Sequence, residues 1–83
     1  MENLRQRWEK ATEWGVRYYE IQVQPDLWGQ WMVTRTWGRQ GTTLGQTRRT
    51  PCPSYLAALS QWEKLNQRRL QRGYHPVLPS QPA

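Results

Sequence analysis

Apolar positions along this chain follow two different periods. In residues 16–24, Tyr19, Ile21 and Val23 alternate with Tyr18, Glu20 and Gln22. A period of two puts each set on its own face, so this segment predicts a strand with one apolar face. Residues 30–37 alternate less cleanly. Trp31, Val33, Arg35 and Trp37 share one parity, and Met32, Thr34 and Thr36 share the other. A regular strand here sets Arg35 beside Val33 and Trp37, with its guanidinium in reach of the indole; a bulge near Arg35 would switch the parity. Residues 46–50 predict a further strand, with Arg48 and Arg49 on opposite faces. Residues 1–15 are ambiguous. Leu4, Trp8, Ala11 and Trp14 fit a helical face, and the same stretch fits a short strand over 7–12 followed by a Glu-Trp-Gly turn.

From Tyr55 the period becomes helical. Tyr55, Ala58, Leu59, Trp62 and Leu65 form one stripe, with Leu56 and Leu70 at its edge. Gln61, Lys64, Arg68, Gln71 and Arg72 lie opposite, and Arg68, Arg69 and Arg72 read as a solvated helix end. Pro51-Cys52-Pro53 ends the preceding strand, and Ser54 is a natural N-cap. Gly73 suits the left-handed position just past a helix end. Three prolines follow Tyr74, so residues 76–83 are expected to form a flexible tail. The outline is α+β: a small antiparallel sheet of three to four strands with one amphipathic helix packed on one face, in a single domain over residues 1–75.

Composition narrows the function classes. Twelve Lys+Arg against six Asp+Glu give a formal net charge of +6, and ten of the twelve are Arg. Arg suits bidentate phosphate contacts and stacking, so the balance argues for an anionic partner, nucleic acid first. Six Trp and four Tyr are more large aromatics than so short a chain buries, so some stay half exposed and available to a partner. Cys52 and His75 are the sole cysteine and histidine, which leaves no donor set for a structural metal and calls for no cofactor. No catalytic acid, base or nucleophile pair stands out, and the chain reads as a non-enzyme. It carries no apolar run of about 18 residues. We expect a cytoplasmic protein that is monomeric and does not engage membranes.

The candidate chemistry centres on Trp37-Gly38-Arg39 and the Gly/Thr loop over 38–45 that follows. Trp37 offers a flat face to a sugar or base, Arg39 a charged fork to phosphate, and Gly38, Gly41 and Gly45 a backbone that approaches another surface closely. Thr42, Gln46, Arg35, Arg48 and Arg49 complete the candidate nucleic-acid-binding set.

This corner resembles the signature of the WGR domain family, in the run Trp31-Met32-Val33-Thr34-Arg35-Thr36-Trp37-Gly38-Arg39-Gln40-Gly41-Thr42. Tyr18-Tyr19-Glu20-Ile21-Gln22-Val23 resembles the family's first well-marked strand, Gly45-Gln46-Thr47 the step after the signature, and Arg72-Gly73-Tyr74 the end of its closing helix. WGR domains occur in DNA-dependent poly(ADP-ribose) polymerases, in proteins resembling molybdate regulators, and as small stand-alone bacterial proteins. The resemblance implies DNA binding near strand breaks, with Trp37 against a terminal sugar and Arg39 as a bridging cation. The polymerases' catalytic domain and zinc fingers have no counterpart here. Two expectations follow: a DNA-end or structured nucleic-acid binding module, or an adaptor that binds a protein partner through exposed aromatics and Arg39.

Overall fold

The computed structural model describes residues 1–43 and 45–77. Five strands and one helix follow in the order β1 Leu4–Thr12, β2 Gly15–Pro25, β3 Trp31–Arg39, β4 Gln46–Cys52, α1 Tyr55–Gln71 and β5 His75–Val77. The strands form one antiparallel sheet in the order β4-β3-β2-β1-β5. The α+β outline with one helix holds, but the sheet has five strands rather than three to four. The two additions have different causes.

The first is β1. Its helically spaced residues are not buried together, since Ala11 and Trp14 are exposed while Trp8 is buried. Pairing with β2 decides the conformation. A tight turn at Glu13-Trp14 lets Thr12 face Gly15, and the ladder then runs without interruption to Leu4 opposite Val23. That register drives Trp8 into the core beside Tyr19, where its indole N–H donates to Asn66 Oδ1 at 2.7 Å.

The second is β5, which begins where the tail was expected. His75, Pro76 and Val77 pair with Glu9, Trp8 and Arg7. Three residues containing a proline give no periodic signal, and proline is tolerated here because β5 is an edge strand. Residues 78–83 of the expected tail lie outside the described residues. The other edge, β4, accommodates Pro51 in the same way, so it runs on to Cys52 instead of stopping at Thr50.

One face of the sheet carries Leu4 and Trp8 from β1, Tyr19, Ile21 and Val23 from β2, Val33 from β3 and Cys52 from β4. The helix covers it. Ile21, Val23, Val33 and Ala58 are essentially inaccessible, and Trp31, Tyr55, Trp62 and Leu65 pack around them. Ser54 caps the helix as expected, accepting from the Ala57 N–H at 3.1 Å. The other end closes in a Schellman arrangement: the Tyr74 N–H donates to Arg69 O and the Gly73 N–H to Leu70 O, with Gly73 at φ +85°. This closure turns the chain into β5 and sets Tyr74 next to Arg69. No helix among the described residues is long and apolar enough to cross a membrane.

Candidate functional site

Strand β3 is regular through Trp37. It pairs without a bulge with β2 from Trp31–Pro25 to Arg39–Arg17 and with β4 from Trp31–Cys52 to Trp37–Gln46. Gly38 and Arg39, expected at the start of a loop, are therefore the last residues of the strand. Strand β2 extends back to Gly15 and supplies their partners, Tyr18 and Arg17. Beyond them the Thr42 N–H and hydroxyl both donate to Arg39 O, and Gly41 takes φ +85°. With no positive φ at Gln40, this is a type II turn, which requires a glycine at Gly41.

Strand parity sorts the candidate residues. Arg35, Trp37, Arg39, Gln46 and Arg48 face the helix side of the sheet, while Arg49 faces the other side opposite Thr34. On the helix side, Trp37 stands between Tyr19 and Gln46 in register. Its ring stacks on Tyr19 with centroids 5.8 Å apart and planes 18° apart, and the Arg35 guanidinium lies 5.9 Å from its centroid. Trp37 is half-buried. Gln46, its neighbour on the side away from Tyr19, is exposed.

A cleft of about 380 Å³ opens at this corner. Trp37, Gly38, Arg39, Thr42 and Gln46 line it, together with three residues the sequence did not single out for the site, Arg17, Tyr18 and Tyr74. Arg17 was legible: it continues the row Tyr19, Ile21, Val23 by one more step. Tyr74 reaches the site through the helix closure, a tertiary effect. Arg35, Arg48, Gly41 and Gly45 do not line the cleft. Gly45 has a packing role, since a Cβ there would sit 2.9 Å from the Tyr18 hydroxyl.

Charge is segregated between the two faces. On the side away from the helix, Arg7 bonds Glu9 at 2.9 Å and Glu20 at 3.0 Å, and Arg5 also reaches Glu20. Burial alone would lower the Arg7 pKa, but its bonds to Glu9 and Glu20 outweigh that and hold it above the ordinary value. Arg35 and Glu20 lie on opposite faces of the sheet and form no ion pair. On the helix side, Arg17 stands directly opposite Arg39, and Arg35 directly opposite Arg48. Like charges facing each other across strands are destabilising. Among the described residues none of these four makes an ion pair. Two unneutralised Arg–Arg rows thus bracket the Tyr19–Trp37 stack.

Arg69 corrects the reading of the helix end. Only 8 % of it is exposed, its guanidinium lies 4.1 Å from the Tyr19 centroid and 5.2 Å from that of Tyr74, and among the described residues its Nε has no hydrogen-bond partner. The signal was present, because Arg69 follows Tyr55, Ala58, Trp62 and Leu65 at the stripe's own spacing. Contact with two ring faces offsets part of the cost of burying the charge.

Burial pushes the Cys52 thiol pKa up, and Cys52 and His75 sit on the two opposite edge strands. The exposed aromatics expected from composition are Trp14 in the β1–β2 turn and Trp28 in the β2–β3 turn, the latter at the far end of the sheet from Trp37. A model of the family described as WGR domain matches residues 4–81. No curated protein and no solved structure matches the chain.

Proposed function

The chain belongs to the WGR domain family, a nucleic-acid-binding module, and on that footing we infer that it binds DNA at strand ends or breaks. Arg17 and Arg39 hold backbone phosphate, and Trp37 packs against the sugar or base of the terminal nucleotide. The observation that carries this reading is the pair of opposed Arg rows around the Tyr19–Trp37 stack. A sheet that sets like charges face to face, with its carboxylates on the other side, gains from an anionic partner laid across it. The stack fixes the orientation of Trp37 before a ligand arrives, which lowers the ordering cost of binding. An open corner with a half-buried indole favours an exposed terminus, because bases inside a continuous duplex are already stacked.

The adaptor alternative draws on Leu27 and Trp28, which are 93 % and 86 % exposed. They lie at the opposite end of β2 and β3, so a protein docked there leaves the Trp37 corner free.

The test is fluorescence anisotropy with a 5′-phosphorylated blunt hairpin, a closed dumbbell of the same duplex sequence and single-stranded DNA, each at several salt concentrations. Tighter binding to the open hairpin than to the dumbbell, with a steep fall in affinity as salt rises, is the expected result. Equal, weak binding to all three that is lost by about 0.15 M salt overturns the reading.

A further inference from the structure

A second cleft, of about 280 Å³, lies between the β1–β2 hairpin and the C-terminal end of α1. The hairpin contributes Lys10, Thr12, Trp14 and Arg17, and the helix end contributes Arg69, Arg72 and Tyr74. Arg17 and Tyr74 also line the Trp37 cleft, so the two adjoin. We propose that this second cleft is a phosphate site, which holds the backbone of the same nucleic-acid strand one or more nucleotides away from the terminus at Trp37. The proposal rests on the nucleic-acid reading above for its ligand.

Three observations carry it. The first is the unpartnered cation. Arg69 is more than nine-tenths buried, lines the cleft, and among the described residues makes no ion pair or hydrogen bond through its guanidinium. Its two tyrosine neighbours provide ring faces but no acceptor for its N–H groups. Buried polar groups are nearly always satisfied, so a guanidinium left this way at a cleft wall is suited to an anion that arrives from outside.

The second is charge. Lys10, Arg17, Arg69 and Arg72 converge, and no carboxylate among the described residues lines the cleft. Glu13, in the same hairpin turn, is exposed and is not part of the wall. Lys10 is only partly engaged: its Nζ donates to Arg72 O at 2.8 Å, which leaves two of the three ammonium protons. A helix C-terminus repels anions through its dipole, so the four cations must outweigh it. Lys10 does so directly by bonding a terminal carbonyl.

The third is Trp14 at the rim. It is 72 % exposed, on a tight turn held by the Trp14 N–H donating to Thr12 Oγ1 and that hydroxyl donating to Gly15 O. An exposed indole carried on a hydrogen-bonded turn beside a cationic cleft is a stacking surface for a sugar or base. Trp37 and Trp14 then stand at the two ends of one cationic path that crosses Arg17 and Tyr74.

The test uses the intact chain and two exposed positions, Arg72→Gln and Trp14→Ala, with circular dichroism to verify folding. Against the 5′-phosphorylated hairpin, each variant is expected to bind about 3- to 10-fold more weakly. Arg72→Gln should also flatten the slope of log K against log salt by about 1, while the preference for an open end persists. Wild-type affinity and slope in both variants overturn the proposal and leave the Trp37 reading intact. If the unmodified protein binds no DNA, that reading fails separately, and inorganic phosphate decides the cleft. Titrated into ¹⁵N-labelled protein, phosphate should move the Arg69 Nε–Hε signal saturably in wild type, less in Arg72→Gln, and not with sodium chloride of equal ionic strength. No saturable movement overturns the site.

Discussion

Replacing Arg48 by Glu should make the fold more stable and the nucleic-acid site weaker. Arg48 faces Arg35 directly across β3 and β4, with no carboxylate paired to either among the described residues. Two unit charges about 6 Å apart at the dielectric constant of water repel by about 0.7 kcal/mol. Charge reversal turns that repulsion into an attraction of equal size, a swing of roughly 1.4 kcal/mol at low salt. Screening at physiological ionic strength, where the Debye length is about 8 Å, halves it to roughly 0.7 kcal/mol. For a domain of this size the melting temperature should rise by about 3–6 °C. Thermal denaturation followed by circular dichroism in low salt, 0.15 M and 1 M salt reads this directly. The gain should shrink steadily along that series, and DNA affinity should fall in the same variant. A lower melting temperature, or a gain that ignores salt, would refute the argument that the Arg–Arg rows are a standing electrostatic cost.

Gly73→Ala must hold φ near +85° with a Cβ present, which costs about 1–2 kcal/mol; Gly73→Asn should cost less, and equal urea midpoints for all three chains would contradict the Schellman assignment. Gly45→Ala should destabilise more in the wild-type background than with Tyr18→Phe, since the new Cβ meets the Tyr18 hydroxyl at 2.9 Å and Arg7, 4.7 Å over the ring, resists its displacement. A double-mutant cycle should return a coupling of about 0.5–1 kcal/mol, and a coupling of zero would remove the packing role assigned to Gly45. Cys52 has a folded-state pKa raised by burial, so its contribution is complete below about pH 8.5 and is lost as pH rises through the folded value. The stability gap between wild type and Cys52→Ala should therefore narrow from pH 8 to pH 10.5 in urea titrations; parallel curves would oppose this.

How much of the molecule was legible follows from which forces act locally. Tyr19, Ile21 and Val23 announce their strand because burial on one face imposes a period of two, and Ser54 and Gly73 bound the helix through local hydrogen bonds. Residues 4–12 could not be resolved the same way, since only Leu4 and Trp8 are apolar on the inward face and the decisive term is pairing with β2. His75–Val77 is a strand solely because β1 offers an edge. At the site, Trp37, Arg39 and Gln46 line one cleft, whereas Arg49 lies on the other face of the sheet and Gly45 is a packing residue. Arg17 and Arg69 carried readable signals, because each continues an apolar row with a charged residue.

The most direct test of the central claim compares two tryptophans at opposite ends of the sheet. The 5′-phosphorylated blunt hairpin is titrated with wild type, Trp37→Ala and Trp28→Ala at fixed salt. Trp37→Ala should lose about 10-fold or more in affinity, in line with about 1–3 kcal/mol per stacked base, together with the preference for an open end, while Trp28→Ala should bind as wild type does. Loss of binding in Trp28→Ala with Trp37→Ala unaffected would place the interface at the β2–β3 turn and not at the Trp37 corner.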